Sequence, residues 1–171
     1  MANESRWRRI LRHAMTDERT VRRALGPQAL DRLQARVAER ERGHSGEIRL
    51  CVEASLPWSY LWQRLPARAR AITLFGKLRV WDTEANNGVL IYVLMAEHAI
   101  EVVADRGLAR QVPPSHWDEI VAHMRSEFRA GRFEEGLAAA IDAVGAELAR
   151  HFPLADGDAN PNELTDRVDL R

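Results

Sequence analysis

The spacing of apolar and polar positions divides this chain into segments of strand period, helical period and no period. Val89 to Met95 is an unbroken apolar run with β-branched residues and a tyrosine, bounded by turn residues. That pattern reads as a strand buried on both faces. After a short turn at Ala96-Glu97, the run Ala99 to Ala104 puts Ile100, Val102 and Ala104 on one side. Ala99, Glu101 and Val103 fall on the other. So short a connection makes the pair antiparallel. A third run, Glu47 to Ala54, alternates Ile48, Leu50 and Val52 with Arg49, Cys51 and Glu53. Its mixed face reads as a strand nearer the sheet edge than Val89–Met95.

Helical period fills the remainder. Residues 5–15 form a short basic amphipathic segment with Trp7, Ile10, Leu11 and Ala14 at helical spacing. It reads as a strap packed on the domain or as a membrane-surface or partner-docking helix. Thr16-Asp17 caps a helix ending near Leu25-Gly26. Pro27 starts the next, whose stripe is Leu30, Leu33 and Val37, and Gly43 closes it. Pro57 starts a stretch carrying Trp58, Leu61, Trp62 and Leu65. Pro66 interrupts it, and Ala69, Ile72, Phe75 and Leu78 continue an apolar face. Strand, crossover helices and strand make a right-handed βαβ unit, so the first two strands are parallel and the sheet is mixed. Ser115 is the expected cap of a helix with the stripe Trp117, Ile120, Val121, Met124 and Phe128. A last helix carries Phe133, Leu137, Ile141, Val144 and Leu148. The two form a helical hairpin against the sheet. The boundaries are a basic helical extension at 1–26, a domain at 27–153 and an acidic tail at 154–171. The tail is polar and is expected to be disordered.

Composition narrows the function classes. Lys+Arg and Asp+Glu are equal at 25 each, so no global field steers nucleic acid to the chain. The one cysteine, Cys51, rules out an intramolecular disulfide and suits a reducing compartment. The N-terminus does not read as a secretory signal, and no window approaches the ~20 apolar residues of a membrane helix. No histidine pair has metal-ligand spacing and no glycine loop cradles phosphate, so no organic cofactor is expected.

The order of these elements, with Asn87-Gly88-Val89-Leu90, Gly107-Leu108, Phe128 to Phe133 and Gly136-Leu137, resembles the TPM domain family. That family takes its name from a thylakoid-lumen acid phosphatase, a photosystem II repair protein and an acetylcholine-receptor auxiliary protein. The resemblance implies an α/β/α sandwich around a small mixed sheet, a parallel βαβ unit plus an antiparallel hairpin. It also implies calcium binding and weak acid phosphatase activity, both attributed to some members. Two departures bear on those activities. Asn86 stands where the family pattern has the aspartate of D-N-G. Asp105-Arg106-Gly107-Leu108-Ala109 stands where G-x-G-L-E is common. The chain resembles a cytoplasmic variant of the kind encoded near LemA-type membrane proteins, which makes such a protein the expected partner.

The hairpin returns Asp105 to the Asn87 end of the central strand, and the preceding loop brings Asp82 and Glu84 toward the same edge. Asp82, Glu84 and Asn86 alternate as a loop does when it offers successive oxygens to Ca²⁺ or Mg²⁺. The expected metal set is therefore Asp82, Glu84, Asn86, Asn87 and Asp105. Arg79 and Arg106 are candidates for phosphate charge, or simple ion-pair partners of the neighbouring carboxylates. In the tail, Asp156, Asp158, Asn160 and Asn162 also alternate oxygens but read as unstructured. Two functions follow. One is a non-catalytic interaction module with weak divalent-metal binding. The other is a low-turnover metal-dependent acid phosphatase.

Overall fold

The computed structural model describes residues 6–26, 28–155 and 157–171. In the first half lie α1 (Arg6–Ala14), α2 (Glu18–Leu25), α3 (Ala29–Glu41), β1 (Glu47–Glu53), α4 (Trp58–Trp62) and α5 (Ala67–Lys77). Then follow β2 (Gly88–Leu94), a 3₁₀ turn (Met95–Glu97), β3 (Ala99–Ala104), α6 (Arg106–Ala109), α7 (Pro114–Arg129), α8 (Phe133–His151) and β4 (Asp169–Leu170).

The strands form one mixed sheet in the order β3-β2-β1-β4. β1 and β2 are parallel, with Glu47 opposite Gly88 and Glu53 opposite Leu94. β2 and β3 are antiparallel, with Val89 opposite Ala104. Alternation of side chains then builds two cores. Ile48, Leu50, Val52, Val89, Ile91 and Val93 face α2, α3, α7 and α8, meeting Val21, Leu33, Met124, Leu137, Ile141 and Leu148. Cys51, Leu90, Tyr92, Leu94 and Val103 face α4 and α5, meeting Leu61, Ala67, Ala71 and Leu74, with Ile10 of α1 at the margin. The result is the expected α/β/α sandwich around a βαβ unit and a hairpin.

Four expectations need correction. β1 lies no nearer the sheet edge than β2: both are inner strands, all seven residues of β1 are buried, and β4 pairs with it in parallel at Cys51 and Val52. The tail that supplies β4 is polar, yet it is held through hydrogen bonds that hydropathy does not register. The Glu47 carboxylate accepts from the Glu163 and Leu164 amides, Asn160 donates to the His44 and Gly46 carbonyls, and Arg49 donates to the Thr165 carbonyl. On α5 the buried face is Ala67, Arg70, Ala71 and Leu74, and Ile72 points outward. The reason is a buried ion pair: Arg70 Nη2 lies 2.6 Å from Glu53 Oε1, and Tyr92 donates to Glu53 Oε2 at 2.7 Å. Finally, α7 begins at Pro114 after Pro113, so Ser115 lies inside its first turn.

Other local signals hold. Asp17 caps α2 by accepting from the Thr20 amide at 2.9 Å. Pro57 and Pro66 precede α4 and α5 as their N-caps. Pro27 and Asp156 lie outside the described residues.

Candidate functional site

α5 hands over to β2 through the polar loop 79–87. Arg79 turns the chain with a positive φ of 56°, and the Asp82 amide donates to its carbonyl at 2.8 Å. Thr83, buried and missed by sequence reasoning, organises the rest. Its carbonyl accepts from the Asn86 amide and its hydroxyl from the Asn87 amide, each at 3.1 Å. This is a side-chain turn of the kind short hydroxyl residues form. Asn86 has φ 52°, which small polar residues tolerate better than most.

The hairpin closes the other side. The Asp105 amide donates to the Gly88 carbonyl at 2.9 Å, and the Gly107 amide to the Asn86 carbonyl at 2.8 Å. Gly107 has no room for a side chain: a Cβ there would sit 2.5 Å from the carbonyl oxygens of Ala85 and Asn86. Close approach of two backbones is what fixes glycine at this position.

Of the expected metal residues, Asn87 and Asp105 are buried, one just before β2 and the other just after β3. Asn87 Nδ2 donates to Ser45 Oγ at 3.3 Å, and Asp105 Oδ1 accepts from the Arg106 amide at 2.6 Å. The remaining oxygens, Asn87 Oδ1 and Asp105 Oδ2, are buried without a hydrogen-bond partner. The parallel register explains Ser45: with Glu47 opposite Gly88, the residues just before β1 lie beside Asn87.

Asp82 and Glu84 do not join this pair. Both are exposed, and the Glu84 amide instead donates to the Glu163 carboxylate of the tail at 3.2 Å. Asn86 contributes backbone groups to the turn. Among the described residues no group of three or more His, Cys, Asp or Glu side chains is placed to hold a metal ion. Arg79 lies 3.9 Å from Asp82, and Arg106 lies 4.0 Å from Asp105, with both guanidinium groups largely in solvent. These are the neighbour ion pairs expected of exposed arginines.

A second polar centre sits where the tail meets β1. Glu41 lies one helical turn beyond Val37, on the stripe of α3, and its carboxylate accepts from the Ile48 amide at 2.7 Å. Burial raises its pKa to about 9, and Glu47 and Asp166 nearby add to the rise. Burial likewise raises Glu47 to about 7. His44, also buried, is lowered to about 4. Cys51 is pushed up by burial and the adjacent Asp169, which makes it an inert thiol.

An open mixed sheet with helices on both faces defines an α/β/α sandwich. A family model described as the TPM domain matches residues 21–147, from within α2 to within α8. The chain belongs to the TPM domain family. It is similar to the solution structure of the BA42 protein from the psychrophilic bacterium Bizionia argentinensis. The identity is 26%, the TM-score is 0.73, and the match covers 85% of this chain and 94% of that one. No curated protein matches the chain.

Proposed function

We propose that this TPM domain is a non-catalytic interaction module with a weak divalent-cation site at the hairpin edge. The observation that supports the cation is the pair of buried, unpartnered oxygens, Asn87 Oδ1 and Asp105 Oδ2. A buried acceptor left unpaired costs roughly 1–3 kcal/mol, more when it is charged. A hard cation relieves a carboxylate and an amide oxygen at once, and Ca²⁺ and Mg²⁺ both take such ligands. Asn87 and Asp105 would hold the ion, and water would complete its shell. One carboxylate supplies little charge, which places the affinity at the weak end of the calcium range. The bound ion would supply neutralising charge to Asp105 and stiffness to the loop. The partner is a protein or a surface met from the cytoplasm, with a LemA-type membrane protein as the candidate that the family resemblance offers.

The test is a thermal melt in millimolar CaCl₂ against EDTA, on wild type and on Asp105→Asn. At ten times Kd a native-state ligand adds about 1.4 kcal/mol, which raises Tm by roughly 3–5 °C for a chain of this size. A rise that disappears in Asp105→Asn supports the site. No rise in wild type overturns the cation. Metal-dependent release of phosphate from p-nitrophenyl phosphate, lost in the same variant, would overturn the non-catalytic reading and give Arg79 and Arg106 a role in charge stabilisation.

A further inference from the structure

The layer made by α1, α4 and α5 has a composition unlike the rest of the molecule. The chain has 25 Asp and Glu residues, yet none falls in residues 5–16 or 54–81. The same two stretches hold four of the five tryptophans and nine of the 25 Lys and Arg residues. Arg9, Arg68, Arg70 and Arg79 pair with Glu97, Glu101, Glu53 and Asp82, so what these stretches present is an aromatic surface with a smaller cationic excess.

The packing of α1 sets which side chains that surface presents. Arg9 Nε donates to Glu97 Oε1 at 2.6 Å, and its Nη2 donates to the Leu65 carbonyl at 2.7 Å. The His13 Nδ1 accepts from the Leu56 amide at 3.0 Å. These bonds hold Ile10 and His13 against the domain. They turn Trp7, Leu11 and Met15 outward at successive i, i+4 positions, 75%, 59% and 70% exposed. α4 adds Trp58 and Trp62, 59% and 58% exposed, with ring centroids 6.2 Å apart. Arg6 joins the two rows, its guanidinium carbon 3.6 Å from the centre of the Trp62 ring. A groove of about 200 Å³ between the helices is lined by Ile10, Ala14, Trp58 and Leu61, so the apolar surface is continuous across it.

We infer that this face docks on the surface of an anionic lipid bilayer, with Trp7, Leu11, Met15, Trp58 and Trp62 seated at the headgroup level. The inference rests on the interaction-module reading and names the surface that module meets. Tryptophan and arginine are the side chains that suit a boundary with one apolar and one charged side. A basic helix with an outward apolar row lies in the plane of such a boundary. The apolar side chains project from the crests of α1 and α4. A fluid bilayer accepts that shape without a matching pocket, whereas a protein partner would need buried anchor pockets of its own. Among the described residues no helix is long and apolar enough to cross a membrane, so contact of this kind is peripheral.

The experiment is co-sedimentation of the full chain with phosphatidylcholine vesicles, and with vesicles mixing in phosphatidylglycerol, at low and high salt. The expected result is binding to the mixed vesicles only, weakened by salt, with a blue shift of tryptophan emission. The triple variant Trp7→Ser, Leu11→Ser, Met15→Ser and the double variant Trp58→Ser, Trp62→Ser should each lose about tenfold or more in partitioning. Their melting should stay unchanged, because the side chains are exposed. Arg8→Glu should weaken binding, whereas the same charge change on the opposite layer, Arg150→Glu, should not. Unaltered partitioning of the patch variants would overturn the inference. So would absence of binding to anionic vesicles at low salt by folded protein. Patch-dependent self-association without vesicle binding would assign the face to a second copy and leave the interaction module standing.

Discussion

The two layers that cover the sheet treat charge in opposite ways. On the α3, α7 and α8 side, helices pair with one another. Arg32 meets Glu134 at 2.5 Å, Arg36 and Arg40 share Asp142, and Arg132 meets Glu127 at 2.6 Å. That layer neutralises itself and turns its large apolar residues inward. On the α1, α4 and α5 side the helices contain no carboxylate. Among the described residues, Arg9 pairs with Glu97 of the 3₁₀ turn, and Arg68 and Arg70 pair with Glu101 and Glu53 on strands. What remains outward is cationic and aromatic. The difference teaches that the first layer completes the fold, and it is the ground of our proposal that the second also meets an external surface.

The largest effect should come from the ion pair buried between α5 and β1, Arg70 with Glu53. Arg70→Ala leaves Glu53 charged and unpaired in the core, with Tyr92 alone to satisfy it. The expected loss is about 3–5 kcal/mol in urea denaturation. A loss under 1 kcal/mol would mean that this layer is not anchored through Arg70.

A smaller effect belongs to the tail edge, between the layers. Glu41 and Glu47 have folded pKa values of about 9 and about 7, above the ordinary carboxyl range. The native state therefore holds protons that the unfolded chain has released. The stabilisation is complete below an unfolded pKa near 4.5 and is lost as pH rises through 7 and then 9. His44, lowered to about 4, acts in the opposite sense below 6.5 and is silent above it. Stability should fall on the order of 2 kcal/mol between pH 7 and 9, and Glu41→Gln should flatten the decline. A flat wild-type profile would contradict the burial assigned to this edge.

The smallest effect belongs to the first layer. Arg36→Ala removes one of two half-exposed partners of Asp142 and should cost less than about 1 kcal/mol. A loss as large as that of Arg70→Ala would erase the contrast between the layers.

The sequence was most informative where burial is apolar and periodic. β2, β3 and the α7/α8 hairpin follow directly from Val89–Leu94, Ile100/Val102 and the Ile120–Met124 and Leu137–Leu148 stripes. It misled where burial is polar. Arg70 faces the core of α5 through Glu53, so a reading that seeks apolar stripes chooses Ile72 and Phe75 instead. The tail is held by Glu47, Asn160 and Arg49, none of which marks a packed segment in hydropathy. In the candidate site, the return of Asp105 to the Asn87 end of β2 was legible because hairpin geometry alone requires it. Asp82 and Glu84 were not separable from that pair, because the turns at Arg79 and Asn86 that carry them outward are set by backbone conformation and by Thr83.

The central claim is that the α1/α4/α5 layer is the working face and the α3/α7/α8 layer is not. Carbene footprinting of the full chain, with and without phosphatidylglycerol-containing vesicles, measures this residue by residue. The account predicts masking of Trp7, Leu11, Met15, Trp58 and Trp62, with Glu119 and Arg150 labelled as in free protein. Masking centred on the α7/α8 hairpin, or no masking of bound protein at the five apolar positions, would contradict it.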